Sequence, residues 1–218
     1  MQEETRANRY LVPRGDEPYE SLLEIKRSEF IGHIKRVSTV EEARAYIDSV
    51  RKTYHDARHV CSAFIIGADR DIQRSSDDGE PAGTAGVPMM QALLVRQTRE
   101  DGTTDLSDVV AVVVRYFGGT LLGVPGLIHA YKEATAQALA VAEVVEKNIE
   151  KTVWLKCEYP FLNEAIRIAK QYQADILEQD LQLDCRLTVN LSLANYEACV
   201  LAWKNTRQIE VNTEKPFE

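Results

Sequence analysis

The chain of 218 residues is long enough for two domains of ordinary size, and its 44% apolar and 28% charged residues are typical of globular proteins. We expect a cytoplasmic protein, because no run approaches the roughly 20 apolar residues of a membrane helix and the first six residues lack the apolar core of a signal peptide. A net charge of −8, divided into −6 for residues 1–146 and −2 for 147–218, argues against an indiscriminate polyanion binder.

Residues 1–146 predict a first domain of mixed strands and helices. After a segment that pairs only loosely, alternating residues predict strands over 19–26 and 30–37. Thr39 and Glu42 form a capping box, which predicts a helix over 40–54. Strands follow over 60–66 and 108–117. The latter belongs in the centre of a sheet, because six successive residues from Val109 are apolar on both faces.

Two glycine-rich segments lead directly into predicted helices. The first glycine loop, 75–88, reads SSDDGEPAGTAGVP and precedes a helix over 89–95. The second glycine loop, 117–126, reads FGGTLLGVPG and precedes a helix over 127–141. Free amides at a helix N-terminus favour anions, and hydroxyls such as those of Thr84 and Thr120 add donors. A phosphate cradle and simple tight turns are both compatible with this pattern, whereas a nucleotide-hydrolysing P-loop lacks its lysine.

Three carboxylates, Asp77, Asp78 and Glu80, lie within four residues of the first glycine loop. Such a cluster could hold magnesium or act as acid and base. It could also accept hydrogen bonds from neighbouring backbone amides, and this structural interpretation is the one we favour. The catalytic alternative is a hydrolase or transferase acting on a phosphate-containing small molecule at residues 75–80. It predicts that the three carboxylates line a pocket beside Arg115.

The central strand ends in Arg115, Tyr116 and Phe117, where it meets the second glycine loop. A cation with two aromatic rings could stack bases and pair with phosphate, and Lys132 on the next helix could extend the patch. The alternative is that Phe117 lies in the core and Arg115 pairs with a carboxylate of the first glycine loop. Another basic edge could come from residues 26–27 and 35–36.

These residues make up the predicted ligand or nucleic-acid site. From the first glycine loop it takes Ser75, Ser76, Asp77, Asp78, Gly79, Glu80 and Thr84. From around the second glycine loop it takes Arg115, Tyr116, Phe117, Gly118, Gly119, Thr120 and Lys132. No catalytic residue, metal ligand set or cofactor is predicted. The four scattered cysteines are read as buried free thiols, since no Cys-x-x-Cys pair occurs.

Residues 147–218 predict a second domain of order βαββαβ. Strands are predicted over 151–159, 174–179, 183–193 and 208–213. Helices are predicted over 164–172 and 196–205, with Asn163 and Asn195 as their N-caps. This order is that of a ferredoxin-like domain, an antiparallel sheet with two helices on one face.

The long motifs at 75–86 and 112–123 (VVVRYFGGTLLG) resemble the paired signature of the IMPACT family. The segments KRSEFI at 26–31 and RHVCSA at 58–63 resemble its weaker early motifs. The resemblance implies a first domain similar to the second domain of a small-subunit ribosomal protein. It also implies a second domain, found in bacterial members, that is similar to the last domain of elongation factor G. The eukaryotic relatives are translation regulators that act through protein partners.

The chain departs from the family pattern after the second glycine loop. The family continues Gly-x-Gly-Gly-Leu-x-Arg-Ala-Tyr, whereas residues 123–131 read GVPGLIHAY. Pro125 removes an amide and His129 replaces a fixed positive charge, so an anion site at this loop is weakened. The leading hypothesis is a translation-associated regulator that binds RNA, the ribosome or a translation factor, and the remaining alternative is a protein–protein adaptor.

Overall fold

The computed structural model describes residues 8–97, 100 and 102–217 of the chain. They form two compact units, of which one is Tyr10–Lys147 and the other contains Asn148 and the residues that follow it. Each unit combines strands and helices, so the predicted α+β class is confirmed. The domain limits 1–146 and 147–218 stay a prediction about which residues fold independently.

A five-stranded antiparallel sheet forms the centre of the first unit. Its strands lie side by side in the order β2 (Tyr19–Ile25), β3 (Ser28–Arg36), β6 (Val109–Tyr116), β4 (His59–Ile66) and β5 (Ile72–Ser76). As predicted, β6 is central and its apolar run is buried. A separate pair is formed by β1 (Arg9–Pro13) and β7 (Val144–Asn148). The edge strand β5 and the pairing of β7 were not predicted from the sequence.

Helices cover both faces of this sheet because the side chains of each strand alternate between two apolar cores. On one face, α1 (Val40–Thr53) packs against alternate valines of β6. On the other face, α2 (Gly86–Leu94) and α3 (Gly123–Val141) pack against the intervening residues of β6. Helix α1 begins at the predicted capping box.

Helices α2 and α3 begin earlier than the sequence predicted. The structure starts them at Gly86 and Gly123, so each opens with the same three residues, Gly-Val-Pro. Proline is compatible with a first helical turn, since its missing N–H would lack an intrahelical partner there anyway. Within the part of the chain that the structure describes, no helix has the length and apolar character needed to cross a bilayer.

The second unit has the ferredoxin-like order predicted for it. The chain runs through β8 (Glu150–Cys157), α4 (Tyr159–Gln171), β9 (Asp175–Leu181), β10 (Cys185–Ser192), α5 (Leu193–Lys204) and β11 (Ile209–Asn212). The strands lie in the order β11, β8, β10, β9 and pair antiparallel. Both helices pack onto one core that includes the buried Trp203.

Both predicted N-caps in the second unit are wrong. Asn163 and Asn195 lie inside α4 and α5, because each helix begins a few residues earlier, at Tyr159 and Leu193. Pro160 favours the earlier start of α4, since it lies in the first turn, where proline is tolerated. Asn195 instead donates a hydrogen bond to the carbonyl of Tyr172, 2.9 Å away.

All four cysteines are buried free thiols, as the sequence predicted. Burial raises the pKa of Cys61 to about 12, which keeps this thiol protonated and unreactive at neutral pH.

Candidate binding site at the two glycine loops

Asp77 holds the first glycine loop against the start of α2. Its Oδ1 accepts hydrogen bonds from the backbone amides of Ala85 (2.9 Å) and Gly86 (2.7 Å), and its Oδ2 accepts one from Gly83 (2.8 Å). Burial alone raises the pKa of Asp77, but the three amides outweigh it and hold that pKa below its ordinary value. The N-cap residue of α2, Ala85, has no side-chain oxygen that could accept a hydrogen bond from the first amides of the helix. The carboxylate of Asp77, eight residues earlier, accepts these bonds instead.

Asp78 ties the same loop to β4 and α1. Its Oδ2 accepts from the amide of Val60 (2.6 Å), and its Oδ1 lies 2.7 Å from Nη2 of Arg51. Burial raises the pKa of Asp78, yet the guanidinium and the amide together lower it below the ordinary value. The backbone carbonyl of Asp78 also lies 2.8 Å from Nδ1 of His59.

Glu80 is the third carboxylate of the loop and lies in the core with Arg115. Nη1 of Arg115 donates to Oε1 of Glu80 at 2.5 Å, and the hydroxyl of Tyr131 donates to the same oxygen at 2.8 Å. Both charged side chains are buried. The guanidinium lies over the rings of Phe30 and Phe117, at 5.5 and 5.7 Å from their centroids.

The ion-pair part of the alternative interpretation is found, whereas its other part is wrong, because Phe117 is half exposed and not in the core. The guanidinium of Arg115 is buried and paired with Glu80, so it is not available to bind a phosphate at the surface. Each carboxylate of the first glycine loop is bonded to a different set of partners. Among the described residues, no three His, Cys, Asp or Glu side chains are placed to hold a metal ion. The hydrogen bonds and ion pairs of its carboxylates hold the loop in place.

The remaining predicted residues of the first glycine loop are also accounted for by local structure. Ser75 and Ser76 end strand β5 and are exposed. Gly79 follows Asp78 in a turn where both residues have positive φ angles, 81° and 43°. Thr84 is buried and its hydroxyl donates to the carbonyl of Pro81 at 2.7 Å. Its hydroxyl is thus used within the loop.

The second glycine loop is anchored to the turn between β2 and β3. A Cβ added to Gly118 would lie 2.0 Å from the carbonyl carbon and oxygen of Arg27, so only glycine fits there. The amide of Gly118 also donates to the hydroxyl of the buried Ser28 at 3.1 Å. Lys26 and Arg27 form this turn, with φ angles of 48° and 66°, and both side chains are exposed.

On both sides of Gly118 the second glycine loop presents apolar side chains to solvent. Phe117 is 51% exposed, Leu121 82% and Val124 52%. Gly119, which is exposed with a φ of 86°, and the partly buried Thr120 lie between them. Sequence reasoning identified Phe117 but not Leu121 or Val124. The sequence did contain a signal for these two residues. Large apolar residues in a glycine-rich loop and at the start of a helix have few neighbouring apolar residues that could bury them.

Two other predicted residues lie apart from this surface. The hydroxyl of Tyr116 donates to Oδ1 of Asp56 at 2.7 Å, which raises the pKa of Tyr116 to about 12. Lys132 lines a cleft with Arg96 and Gln97 at the end of α2, and no residue of the second glycine loop lines that cleft. The structure therefore places Gly118 against Arg27, between Phe117 and Gly119 in the chain, but it does not place Lys132 with this loop.

The fold and the two loops define a class of two-unit α+β proteins. In this class the acidic first glycine loop holds Arg115, and Arg115 contacts Phe117 of the exposed second glycine loop. Comparison with known proteins gives the family. The Impact N-terminal domain matches residues 26–139, and the chain belongs to the IMPACT family, as the paired motifs predicted.

Relatives of similar length share most of this chain. An IMPACT family member of Haemophilus influenzae is 39% identical over 192 residues, which cover 87% of this chain and 88% of that protein. The IMPACT family member YigZ of Escherichia coli is 38% identical over 187 residues, covering 85% and 87%. A crystal structure of a hypothetical protein superposes with a TM-score of 0.77 at 34% identity, covering 95% of this chain and 98% of the other.

Proposed function

We propose that this protein acts in translation as a binding protein, and that it contacts a protein component of the translation machinery through the second glycine loop. Membership of the IMPACT family supports the link to translation, since the resemblance implies translation regulators among the eukaryotic relatives. The observation that carries the proposed contact is the exposure of Phe117, Leu121 and Val124 together. Clustered exposed apolar side chains are characteristic of surfaces that bind other proteins.

The contacts that hold the loop support this proposal. The ring of Phe117 packs on the guanidinium of Arg115, which is itself held by Glu80. Gly118 is locked against the β2–β3 turn. A surface that is already ordered loses less conformational entropy when a partner binds, so its affinity is higher for the same contact area.

RNA is the second candidate partner, and a specific observation favours it. Lys26 and Arg27 are exposed at the turn whose backbone contacts Gly118, the residue that follows the exposed Phe117. A stacking ring beside two cations is a common arrangement in single-strand binders. The whole chain carries a charge of −8, so such binding depends on this local patch.

Catalysis on a phosphate-containing small molecule has no comparable support. That alternative requires Asp77, Asp78 and Glu80 to line one pocket beside Arg115. Instead Asp77 accepts from backbone amides, Asp78 pairs with Arg51, and Glu80 lies buried with Arg115.

The test is co-sedimentation of the purified protein with ribosomes at low and high salt. Leu121→Ser removes an apolar side chain from the loop, and Lys26→Gln removes a charge from the turn. Leu183→Ser is the matched control, because Leu183 is 97% exposed in the second unit. We expect binding that persists at high salt, drops at least tenfold in Leu121→Ser and is unchanged in the control.

The other outcomes separate the candidates. Binding that falls steeply with salt and is weakened mainly by Lys26→Gln would assign the loop to RNA. No sedimentation with ribosomes at either salt, or equal binding by all three variants and the wild type, would contradict the proposal. Arg115→Ala is unsuitable here, because it would leave Glu80 buried without its partner.

A further inference from the structure

A second, separate cavity lies on the face of the first unit's sheet that α1 covers. Helix α1 packs over β4 and β6 and leaves β5 exposed, so a space of about 270 Å³ remains between α1 and the end of the sheet. Its lining includes three arginines and three serines, which are Arg44, Arg51, Arg74, Ser62, Ser75 and Ser76. None of the residues of the second glycine loop lines it.

The arrangement of these side chains follows from the register of the elements. Ser62 of β4 is paired with Ser76 of β5, and Phe64 is paired with Arg74, so these four residues share one face of the sheet. Arg44 and Arg51 are seven residues apart on α1 and lie on the same side of that helix. Arginines from α1 and β5 thus line one cavity together with two serines of the sheet.

The lining of the cavity, as far as the structure describes the chain, contains three arginines and no carboxylate, and its positive charge is balanced only in part. Arg51 is paired with Asp78 at 2.7 Å, and Asp48 on the next turn also acts on it electrostatically. Arg44 and Arg74 are exposed and form no ion pair within the ranges of the chain that the structure describes. A local excess of positive charge in a protein of net charge −8 indicates a site for an anion.

We propose that this cavity binds a phosphate group. Guanidinium groups bind phosphate oxygens through paired, charge-assisted hydrogen bonds, and serine hydroxyls add neutral donors. The volume is near the lower end of the roughly 300–1,000 Å³ of small-molecule sites, which suits one phosphomonoester or one nucleotide unit. The phosphate belongs either to a free small molecule or to an RNA backbone. This site is independent of the proposed contact at the second glycine loop.

Titration with inorganic phosphate is the first experiment. Amide and arginine side-chain NMR shifts of the full chain are followed at constant ionic strength, with chloride replacing phosphate in the reference. We expect saturable shifts at Ser62, Ser76 and the three arginines. Arg44→Gln and Arg74→Gln should each weaken binding about tenfold, because each removes charge-assisted hydrogen bonds. Neither arginine has an ion pair whose loss would unfold the protein.

Lys52→Gln provides the control, since Lys52 is an exposed cation on α1 that does not line the cavity. It should leave phosphate binding within twofold of the wild type. Absence of saturable shifts, or equal weakening in all three variants, would overturn the proposal. A nucleoside monophosphate and a single-stranded oligoribonucleotide then identify the source. Tighter binding of the former supports a small-molecule ligand, and tighter, salt-dependent binding of the latter supports RNA.

Discussion

At the scale of single residues, the acidic loop is explained by the amides it must satisfy. A loop that turns through Gly79 and Gly83 and then starts a helix at Gly86 exposes several N–H groups with no carbonyl in reach. Asp77 accepts from three of them, while the side chain of Ala85 offers none of the help that an N-cap residue usually gives. A carboxylate cluster in a glycine loop can therefore be a structural requirement of that loop.

Asp77→Asn should lower the free energy of unfolding by about 1–3 kcal/mol, because the new amide group would face an N–H donor that it cannot satisfy. The pKa of Asp77 is lowered in the folded protein, so its carboxylate stabilises the fold above the ordinary aspartate pKa of about 4. That stabilisation is lost as the pH falls through the lower, folded-state pKa. Urea unfolding at pH 7 and at pH 3 measures both effects.

The matched control is Asp71→Asn, since Asp71 is an exposed carboxylate just before β5. It should change the free energy of unfolding by less than about 0.5 kcal/mol, as exposed substitutions usually do. An Asp77→Asn protein as stable as wild type at pH 7, or one whose deficit does not shrink towards pH 3, would remove the capping role assigned to this carboxylate.

The buried pair of Glu80 and Arg115 makes a different prediction. Glu80→Gln leaves the guanidinium buried without a compensating charge, and we expect a loss of roughly 3–5 kcal/mol in the free energy of unfolding. Arg115→Met combined with Glu80→Gln should recover part of that loss, because no charge is then left in the core. A double-mutant cycle by chemical denaturation measures the coupling.

Tyr131→Phe serves as the reference for this cycle. It removes only the hydroxyl that donates to Glu80, so about 1 kcal/mol should be lost. Glu80→Gln could instead lower the free energy of unfolding by no more than Tyr131→Phe does. That result would mean that the charges of Glu80 and Arg115 do not stabilise each other, and that this ion pair does not hold the second glycine loop in place.

At the scale of elements, one close approach places the exposed loop. Gly118 follows the end of β6 and lies against the backbone of the turn between β2 and β3. The chain leaving the central strand, which is already paired with β3, is thereby held against the β2–β3 turn. The position of Phe117 and Leu121 then follows from how the sheet is closed, with no ligand needed to hold the loop in place.

Gly118→Ala should lower the free energy of unfolding of the first unit by about 3 kcal/mol or more. Overpacking usually costs roughly 1–3 kcal/mol, and here the new methyl group would meet backbone atoms, which cannot easily move away. Gly119→Ala meets no atom within 4 Å and should cost only the roughly 1–2 kcal/mol of its positive φ angle. Thermal unfolding of the two variants compares them. Equal melting temperatures would mean that the β2–β3 turn gives way freely and does not place the loop.

The sequence predicted the elements whose pattern is local. The capping box at Thr39 and the valine run of β6 placed α1 and the central strand correctly. Strand β5 was missed because its residues, Ile-Gln-Arg-Ser-Ser, are all exposed and form no core-facing alternation. The early starts of α2 and α3 were missed because glycine and proline ordinarily interrupt helices, and only their position in the first turn makes them acceptable.

The candidate sites show the same division. A pair between Arg115 and a carboxylate of the first glycine loop was one of two alternatives, whereas the predicted site assigned Arg115 to a ligand or nucleic acid. The three arginines of the phosphate cavity were not foreseen, because they come from two elements and their spacing matches no motif. Only the register of β5 against β4, and the side of α1 that faces the sheet, bring Arg44, Arg51 and Arg74 together.

At the scale of the whole molecule, the two units can be observed separately. Both tryptophans of the chain, Trp154 and Trp203, belong to the second unit. Tryptophan fluorescence therefore reports on that unit, whereas far-ultraviolet circular dichroism reports on both. Each unit has its own apolar core, so unfolding in urea need not be a single transition.

Two matched core substitutions test whether the units unfold separately. Leu93 and Leu187 are both fully buried, one in each unit. Leucine to alanine in a core costs roughly 2–5 kcal/mol, so each variant should shift the urea midpoint of its own unit strongly. Leu187→Ala should move the fluorescence transition, and Leu93→Ala should move only the remaining dichroism change. A fluorescence midpoint shifted equally by both variants would mean that the chain unfolds as one cooperative block.

The same pair of variants bears on where the binding surface lies. If the units unfold separately, Leu187→Ala can be studied at a temperature where the second unit is loosened and the first remains folded. Ribosome co-sedimentation should then be retained, because Phe117, Leu121 and Val124 all belong to the first unit. Loss of sedimentation under those conditions would place an essential contact in the ferredoxin-like unit, and the second glycine loop would no longer suffice to explain binding.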